Sequence, residues 1–235
     1  MIKHYPFQQL GKAKHGWLTA NHHFSFAQYY NPRRMGFGHL RVINDDWIAP
    51  NTGFPEHPHK NMEIITFIRS GAITHQDSRG NQGVTSAGEV QVMSAGKGIR
   101  HSEYNHSNKP TTLFQIWIEP NKQNVAPRWD SMKYPKTVNN SSLPMVVSGY
   151  EEDRHQTLFI QQQARIFAGK INKGVEVEHE ITHQAYVIAS QGAFTLVDGK
   201  QSVNMAKGDG AEITQQKFIT IKALKDSEII IIDTP

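Results

Sequence analysis

The sequence predicts an all-β protein built from two related units. Three observations carry that expectation: short apolar or alternating runs punctuated by turn residues, the lack of long amphipathic helical stretches, and a faint internal repeat. In chain order the runs fall at residues 37–43, 63–68, 89–93 and 113–118, then at 186–189, 194–197 and 229–232, separated by Gly, Asn, Asp and Ser. Each is too short for a stable helix and has the alternation or β-branched content of a strand. Residues 119–144, with four prolines and many Asn, Lys and Ser, read as a connection with one short helical piece around 127–132. That places domains at 1–132 and 133–235.

The repeat pairs Phe67-Ile68-Arg69-Ser70-Gly71-Ala72, followed by Ala87-Gly88-Glu89, with Ile188-Ala189-Ser190-Gln191-Gly192-Ala193, followed by Lys207-Gly208-Asp209. Gly71 aligned on Gly192 puts Glu178 and Glu180 at the places of His57 and His59, and Ile221-Lys222 near that of His101. The second copy is therefore expected to lack whatever chemistry histidine supplies in the first. His179 and His183 read as ordinary hydrogen-bonded or surface histidines.

Composition narrows the function classes. A chain of 235 residues with 37% hydrophobic residues can bury one large core or two smaller ones. Without cysteine it forms no disulfide, Fe–S cluster or catalytic thiolate, so a metal site must use nitrogen and oxygen donors. The 25 Lys and Arg are scattered among 21 Asp and Glu, for a formal charge of +4, and no basic stripe with interleaved aromatics suggests nucleic acid. The first residues lack the apolar stretch of a secretory signal, and the run at 229–232 is too short to cross a bilayer, so a cytoplasmic protein away from membranes is expected.

Ten of the 13 histidines precede residue 107, and two clusters stand out: His57-Pro58-His59 and His101-Ser102-Glu103. Side chains at i and i+2 on a strand share a face, so two such pairs on strands that meet would bring three imidazoles and a carboxylate to one transition metal. Pro58 has no N–H for a ladder, which places the first pair at a strand end, an edge or a loop junction, open to solvent.

Gly53-x3-His57-x-His59-x3-Glu63-x7-Gly71 resembles the first cupin motif, and Gly88-x5-Ser94-x-Gly96-x4-His101-x3-Asn105 the second, with Ser in place of its proline and a two-residue insertion. Within cupins, His57-Pro-His59-Lys-Asn-Met-Glu63, His75-Gln-Asp77-Ser78-Arg-Gly80-Asn81 and Gln91-Val-Met93-Ser-Ala95-Gly96-Lys-Gly98-Ile-Arg-His101-Ser-Glu103 are similar to the pirin family, as are Asn31-Pro32-Arg33-Arg34-Met35-Gly36-Phe37-Gly38 and Arg41-Val42-Ile43-Asn44-Asp45-Asp46. The resemblance covers most of residues 30–105; the second half matches mainly in layout. It implies a bicupin of two antiparallel β-barrels, the first binding metal and the second not.

The resemblance assigns the metal to His57, His59, His101 and Glu103. Many other cupins use the glutamate four residues after the His-x-His pair, here Glu63, which is left to orient the ligands or to a structural role. His75, Asn105 and His106 could likewise orient ligands or line the pocket. The ion is expected to be Fe(II), with Cu, Ni, Mn or Zn also compatible with these donors. Bacterial members of the family resemble quercetin 2,3-dioxygenases, which implies cleavage of a flavonol by dioxygen with loss of CO, Glu103 acting as base. A sensor that answers the metal's redox state by altering contact with a partner, such as a transcription factor or metabolic enzyme, would use the same ligands. A deep apolar cavity would favour the enzyme, and a shallow charged mouth the sensor. A monomer is expected, because a closed barrel covers its own edges.

Overall fold

The structure, a computed structural model, describes residues 1–134 and 138–235; residues 135–137 of the expected connection lie outside the described residues. The first strands are β1 (Ile2–Tyr5), β2 (Gly11–Lys14), β3 (Leu18–His22), β4 (Leu40–Ile48), β5 (Thr52–His59) and β6 (Glu63–Ser70). They are followed by β7 (Ala72–Asp77), β8 (Gln82–Ser86), β9 (Glu89–Ser94), β10 (Ile99–Asn105), β11 (Thr111–Ile118) and β12 (Arg128–Lys133). The remainder are β13 (Met145–Ser148), β14 (Leu158–Phe159), β15 (Arg165–Ile171), β16 (Glu176–Glu180) and β17 (Gln184–Gln191). Last come β18 (Ala193–Val197), β19 (Ser202–Ala206), β20 (Gly210–Ile213), β21 (Phe218–Ala223) and β22 (Ser227–Thr234). Two single turns of 3-10 helix, Phe7–Gln9 and Glu151–Asp153, are the helical elements among the described residues, and none is long and apolar enough to cross a membrane.

These strands form two compact units. One comprises Gly11–Lys133 with Leu158–Gln162, the other Met1–Leu10, Tyr134–Thr157 and Gln163–Pro235. The first unit packs a sheet of order β12-β9-β6-β11-β4-β3-β2 with one of order β5-β10-β7-β8; the second combines β1-β20-β17-β22-β15-β13 with β16-β21-β18-β19. Neighbouring strands are antiparallel, giving two jelly-roll units of the bicupin type. The two sheets of a unit are not joined into one continuous hydrogen-bonded ring, so closure supplies no reason to expect a monomer.

Two expectations are corrected. The stretch expected as a short helix around 127–132 is instead occupied by strand β12: Arg128 to Lys133 pair residue by residue with Ser94 to Glu89, a long-range partnership that overrides a proline-preceded polar stretch. The first ten residues belong to the second unit, where Ile2 to Tyr5 pair with Ile213 to Gly210 and Ile2 joins the core.

Side-chain alternation sorts the first unit's interior into layers. On β6 one face reads Ile64, Thr66, Ile68; on β11, Trp117, Gln115, Leu113; on β9, Met93, Gln91. Ile64 and Met93, with Trp117 against them, belong to one apolar cluster, and Ile68 and Leu113 to another. Thr66, Gln115 and Gln91 form a buried polar layer between the two, in register across the three strands. In the second unit the equally paired triple is Val187, Ile231 and Ala211, all inside a single apolar core. Where the first interior has a polar layer, the second is filled with hydrocarbon.

Candidate metal centre

Strands β5 and β10 meet as the spacing requires. His57 lies directly opposite His101, and His59 opposite Ile99, with β5 at the edge of its sheet and His59 at its last position. The ladder slips between His101 and Glu103, so that Glu103 faces Phe54: two residues of β5, Pro55 and Glu56, stand against Ser102 alone. This bulge frees the Pro55 carbonyl, which accepts a 2.7 Å hydrogen bond from Nδ1 of His57. Donation from Nδ1 leaves the Nε2 lone pair of His57 available to a metal.

Nε2 of His57 and Nε2 of His101 are 3.1 Å apart. Two nitrogens each about 2.1 Å from one ion at a right angle are separated by about 3 Å, so the pair fits adjacent positions of a metal's coordination sphere. The ligand atoms of His57, His59 and His101 all lie within 4.8 Å of one another. Burial, followed by the charge on His57, lowers His59 to about 4; burial and then His57, His59 and His75 lower His101 to about 2. Both imidazoles are thus neutral at physiological pH, the form that binds metal.

Glu103 falls into a second, overlapping group with His75 and His101, all buried; it is not grouped with His57 and His59. Its Oε1 accepts from Gln91 Nε2 at 2.7 Å and its Oε2 from Gln115 Nε2 at 2.8 Å, while Thr66 Oγ1 stands 3.5 Å from Oε1. Burial pushes Glu103 up to about 7, opposed by these three hydrogen bonds.

His75 stands behind His101. Asp77 Oδ2 is 3.0 Å from His75 Nε2, and His75 Nδ1 is 3.4 Å from His101 Nδ1. If His75 donates to the carboxylate, its Nδ1 accepts from His101, which directs the Nε2 lone pair of His101 toward His57 and His59. Three imidazoles, two of them with ring nitrogens oriented in this way, fit a divalent transition metal.

The other expected residues are placed elsewhere. Glu63 is in neither group: its Oε2 accepts a 2.6 Å hydrogen bond from Ser94 Oγ, and burial pushes the carboxyl up to about 7, opposed by Ser94 and the Gln161 backbone. Asn105 is buried but braces a loop, donating to the carbonyls of Ala49 and Lys109 and accepting from Ser107. His106 is exposed beside the ring of Tyr104. In the second unit, β16 puts Val177 and His179 inward opposite Ile221 and Ile219, with Glu178 and Glu180 exposed. The repeat alignment on Gly71 and Gly192 is therefore one residue out of phase here, because a fixed offset from a turn glycine carries no information on how the intervening loop sets the face. His179 is buried, edge-on to Phe167, and lowered to about 4 by burial.

Gln91, Gln115 and Thr66 were not expected at the centre. Their signal was a lone polar residue inside an apolar strand run, as in Val90-Gln91-Val92 and Phe114-Gln115-Ile116.

At the three-histidine group His57 and His59 are half-buried and His101 is buried. His59 alone of the three also lines a cavity of about 490 Å³, together with Pro58, Lys60, Ser78, Gly98, Ile99 and Arg100. It is broad and open, and Arg100 Nε pairs with Glu56 at 2.7 Å on its rim.

Residues 4–118 match the family model described as Pirin, and residues 145–234 the one described as Quercetinase C-terminal cupin domain. A protein named "Pirin-like protein" from Caulobacter vibrioides is 47% identical, with 99% of each chain covered. The chain belongs to the pirin family. Another pirin relative, named "Quercetin 2,3-dioxygenase", from Escherichia coli K12, is 40% identical over 96% of this chain and 95% of its own. Among solved structures, the bacterial pirin YhhW of Escherichia coli in complex with nickel(II) is 38% identical, superposes with a TM-score of 0.92, and covers 100% of this chain and 99% of that one. The bicupin architecture is thus shared along the whole length of the pirin chain.

Proposed function

We propose that this pirin is a metal-dependent dioxygenase that opens the ring of a flavonol such as quercetin, releasing CO. The observation that carries the reading is the meeting of three imidazoles whose ligand nitrogens lie within 4.8 Å of one another, with His57 and His59 only half-buried, a three-histidine set that leaves coordination positions for substrate instead of sealing the ion in. Relatives named as quercetin 2,3-dioxygenases support the reaction class.

His57, His59 and His101 would hold the ion, with Glu103 as fourth donor. A divalent metal there supplies acidification of a flavonol hydroxyl and a redox partner for dioxygen. Glu103 receives the proton of the flavonol 3-hydroxyl at a carboxylate oxygen, and Gln91 and Gln115 share the charge it carries otherwise. His75 and Asp77 hold His101 in its tautomer. Fe(II) is the proposed ion and the cytoplasm the proposed setting.

The test is steady-state quercetin consumption and CO release under oxygen, comparing iron-loaded, metal-free and Glu103→Ala protein. Glu103→Ala is expected to lose most ring cleavage while keeping some metal; full activity in that variant would sink the base role, and no flavonol loss by loaded protein would sink the reaction.

One observation favours a second reading. The cavity is open and carries Lys60 and Arg100, the shallow charged mouth expected of a sensor that binds a partner protein. That reading requires Fe(II) and Fe(III) forms to differ in hydrogen-exchange protection of residues 58–60 and 98–100, with no flavonol turnover.

A further inference from the structure

Two tryptophans anchor the hydrogen bonds that hold Glu103. Trp117 Nε1 donates to Gln115 Oε1 at 3.1 Å, and Gln115 Nε2 donates to Glu103 Oε2 at 2.8 Å. Trp129 Nε1 donates to Gln91 Oε1 at 3.3 Å, Thr85 Oγ1 donates to the same oxygen at 2.7 Å, and Gln91 Nε2 donates to Glu103 Oε1 at 2.7 Å. An indole N–H is only ever a donor, so each tryptophan requires the carbonyl end of its glutamine and turns the NH₂ end toward the carboxylate. A side-chain amide that could otherwise flip is thereby fixed at both ends. Each oxygen of Glu103 has its own glutamine, and each glutamine its own tryptophan.

The same indoles touch the imidazoles. Trp117 stands edge-on to His59, centroids 5.0 Å apart at 87°, and Trp129 stacks on His75, 5.0 Å apart at 11°. One ring therefore borders the three-histidine group and the other the His75 group, and each reaches the carboxylate through one amide.

We propose that Trp117 and Trp129, acting through Gln115 and Gln91, are positioning residues that pre-orient Glu103 as a metal donor. This rests on the assignment of Glu103 to the metal made above. With both amides locked, the carboxylate reaches the ion without losing rotamer freedom at the moment of binding; with an indole N–H removed, the Gln115 carbonyl loses its anchor and the Gln91 carbonyl is left with Thr85, so the advantage falls more at Trp117 than at Trp129.

Trp117→Phe and Trp129→Phe keep an aromatic ring against His59 and His75 but lack the N–H. Outer groups that hold a metal ligand contribute roughly 10- to 100-fold to metal affinity, and one further bond removed, roughly 3- to 10-fold weaker binding is expected. The test is nickel(II) titration by calorimetry of wild type, Trp117→Phe, Trp129→Phe, Glu103→Gln and the two double variants, with circular dichroism establishing that each is folded. Weaker binding by each Trp→Phe change that disappears in the Glu103→Gln background supports the proposal, because packing alone would act equally in both backgrounds. Equal weakening in both backgrounds, no change, or tighter binding overturns it. If Glu103→Gln alone leaves nickel affinity and ring cleavage intact, the assignment of Glu103 itself falls, an outcome distinct from loss of coupling to the tryptophans.

Discussion

The centre depends on single ring nitrogens having defined roles. His75 is the clearest case, since it gives His101 an acceptor for its Nδ1–H and is held by Asp77. His75→Phe would preserve a flat ring against Trp129 and remove that acceptor, so metal affinity measured by competition with a chelator is expected to fall roughly 10- to 100-fold. Glu63 is a different kind of buried group. Its carboxyl keeps a proton to about 7 in the folded chain, against an ordinary value of 4.5, through burial opposed by the Ser94 hydroxyl. Between those values the folded state binds more protons than the unfolded one, so its contribution is complete below pH 4.5 and is lost as pH rises to 7. Urea unfolding of Glu63→Gln across this window should show a shallower loss of stability with pH, by up to about 1.4 kcal/mol per pH unit. The i, i+2 pairs stood out in the sequence because strand alternation puts both members on one face, and His57, His59 and His101 do meet, whereas Glu103 groups with His75 and His101. The glutamines did not stand out, since a neutral amide in an apolar strand has no spacing to mark it.

At the level of elements, the centre is a property of how β5 lies on β10. Gly53 is packed against the Glu103 carbonyl and the Tyr104 backbone, leaving no room for a Cβ. Gly53→Ala would push β5 away from β10 at the end that sets the registry of His57 with His101. Overpacking of this kind costs about 1–3 kcal/mol, and the variant should show both a lower Tm and weaker metal binding by calorimetry. The runs at 63–68, 89–93 and 113–118 lie within β6, β9 and β11, where buried faces impose apolar patterning. Strands β7 and β8 were illegible because their exposed or polar residues, such as Gln76, Gln82 and Val84, leave little pattern to read. The phase of β16 failed for a related reason: residues 176–180 alternate cleanly, but a repeat aligned on glycine does not report which face is inside.

Over the whole molecule, a polar interior layer and the three-histidine group distinguish the first copy of the fold from the second. Thr66, Gln115 and Gln91 answer to Val187, Ile231 and Ala211, and the two side-chain groups that could hold a metal among the described residues both lie in the first unit. One metal per chain is therefore expected by elemental analysis, and the variant His57→Ala, His59→Ala, His101→Ala should retain none. The second unit was legible as a repeat but not as the home of β1, because pairing of Ile2 with Ile213 spans nearly the whole sequence and leaves no local mark.

The bulge opposite Ser102 has a consequence for how β5 is shared. Phe54 and His57 are an odd number of residues apart, so a regular strand would send them to opposite faces; the extra residue reverses the phase and turns both inward. Phe54 packs with Trp17 against an apolar cluster, while His57 and His59 reach the metal centre. The strand thus obeys two alternations in succession, one set by the hydrocarbon it covers and the other by the ion it would hold, and the junction between them is what allows either to change without dragging the other out of step.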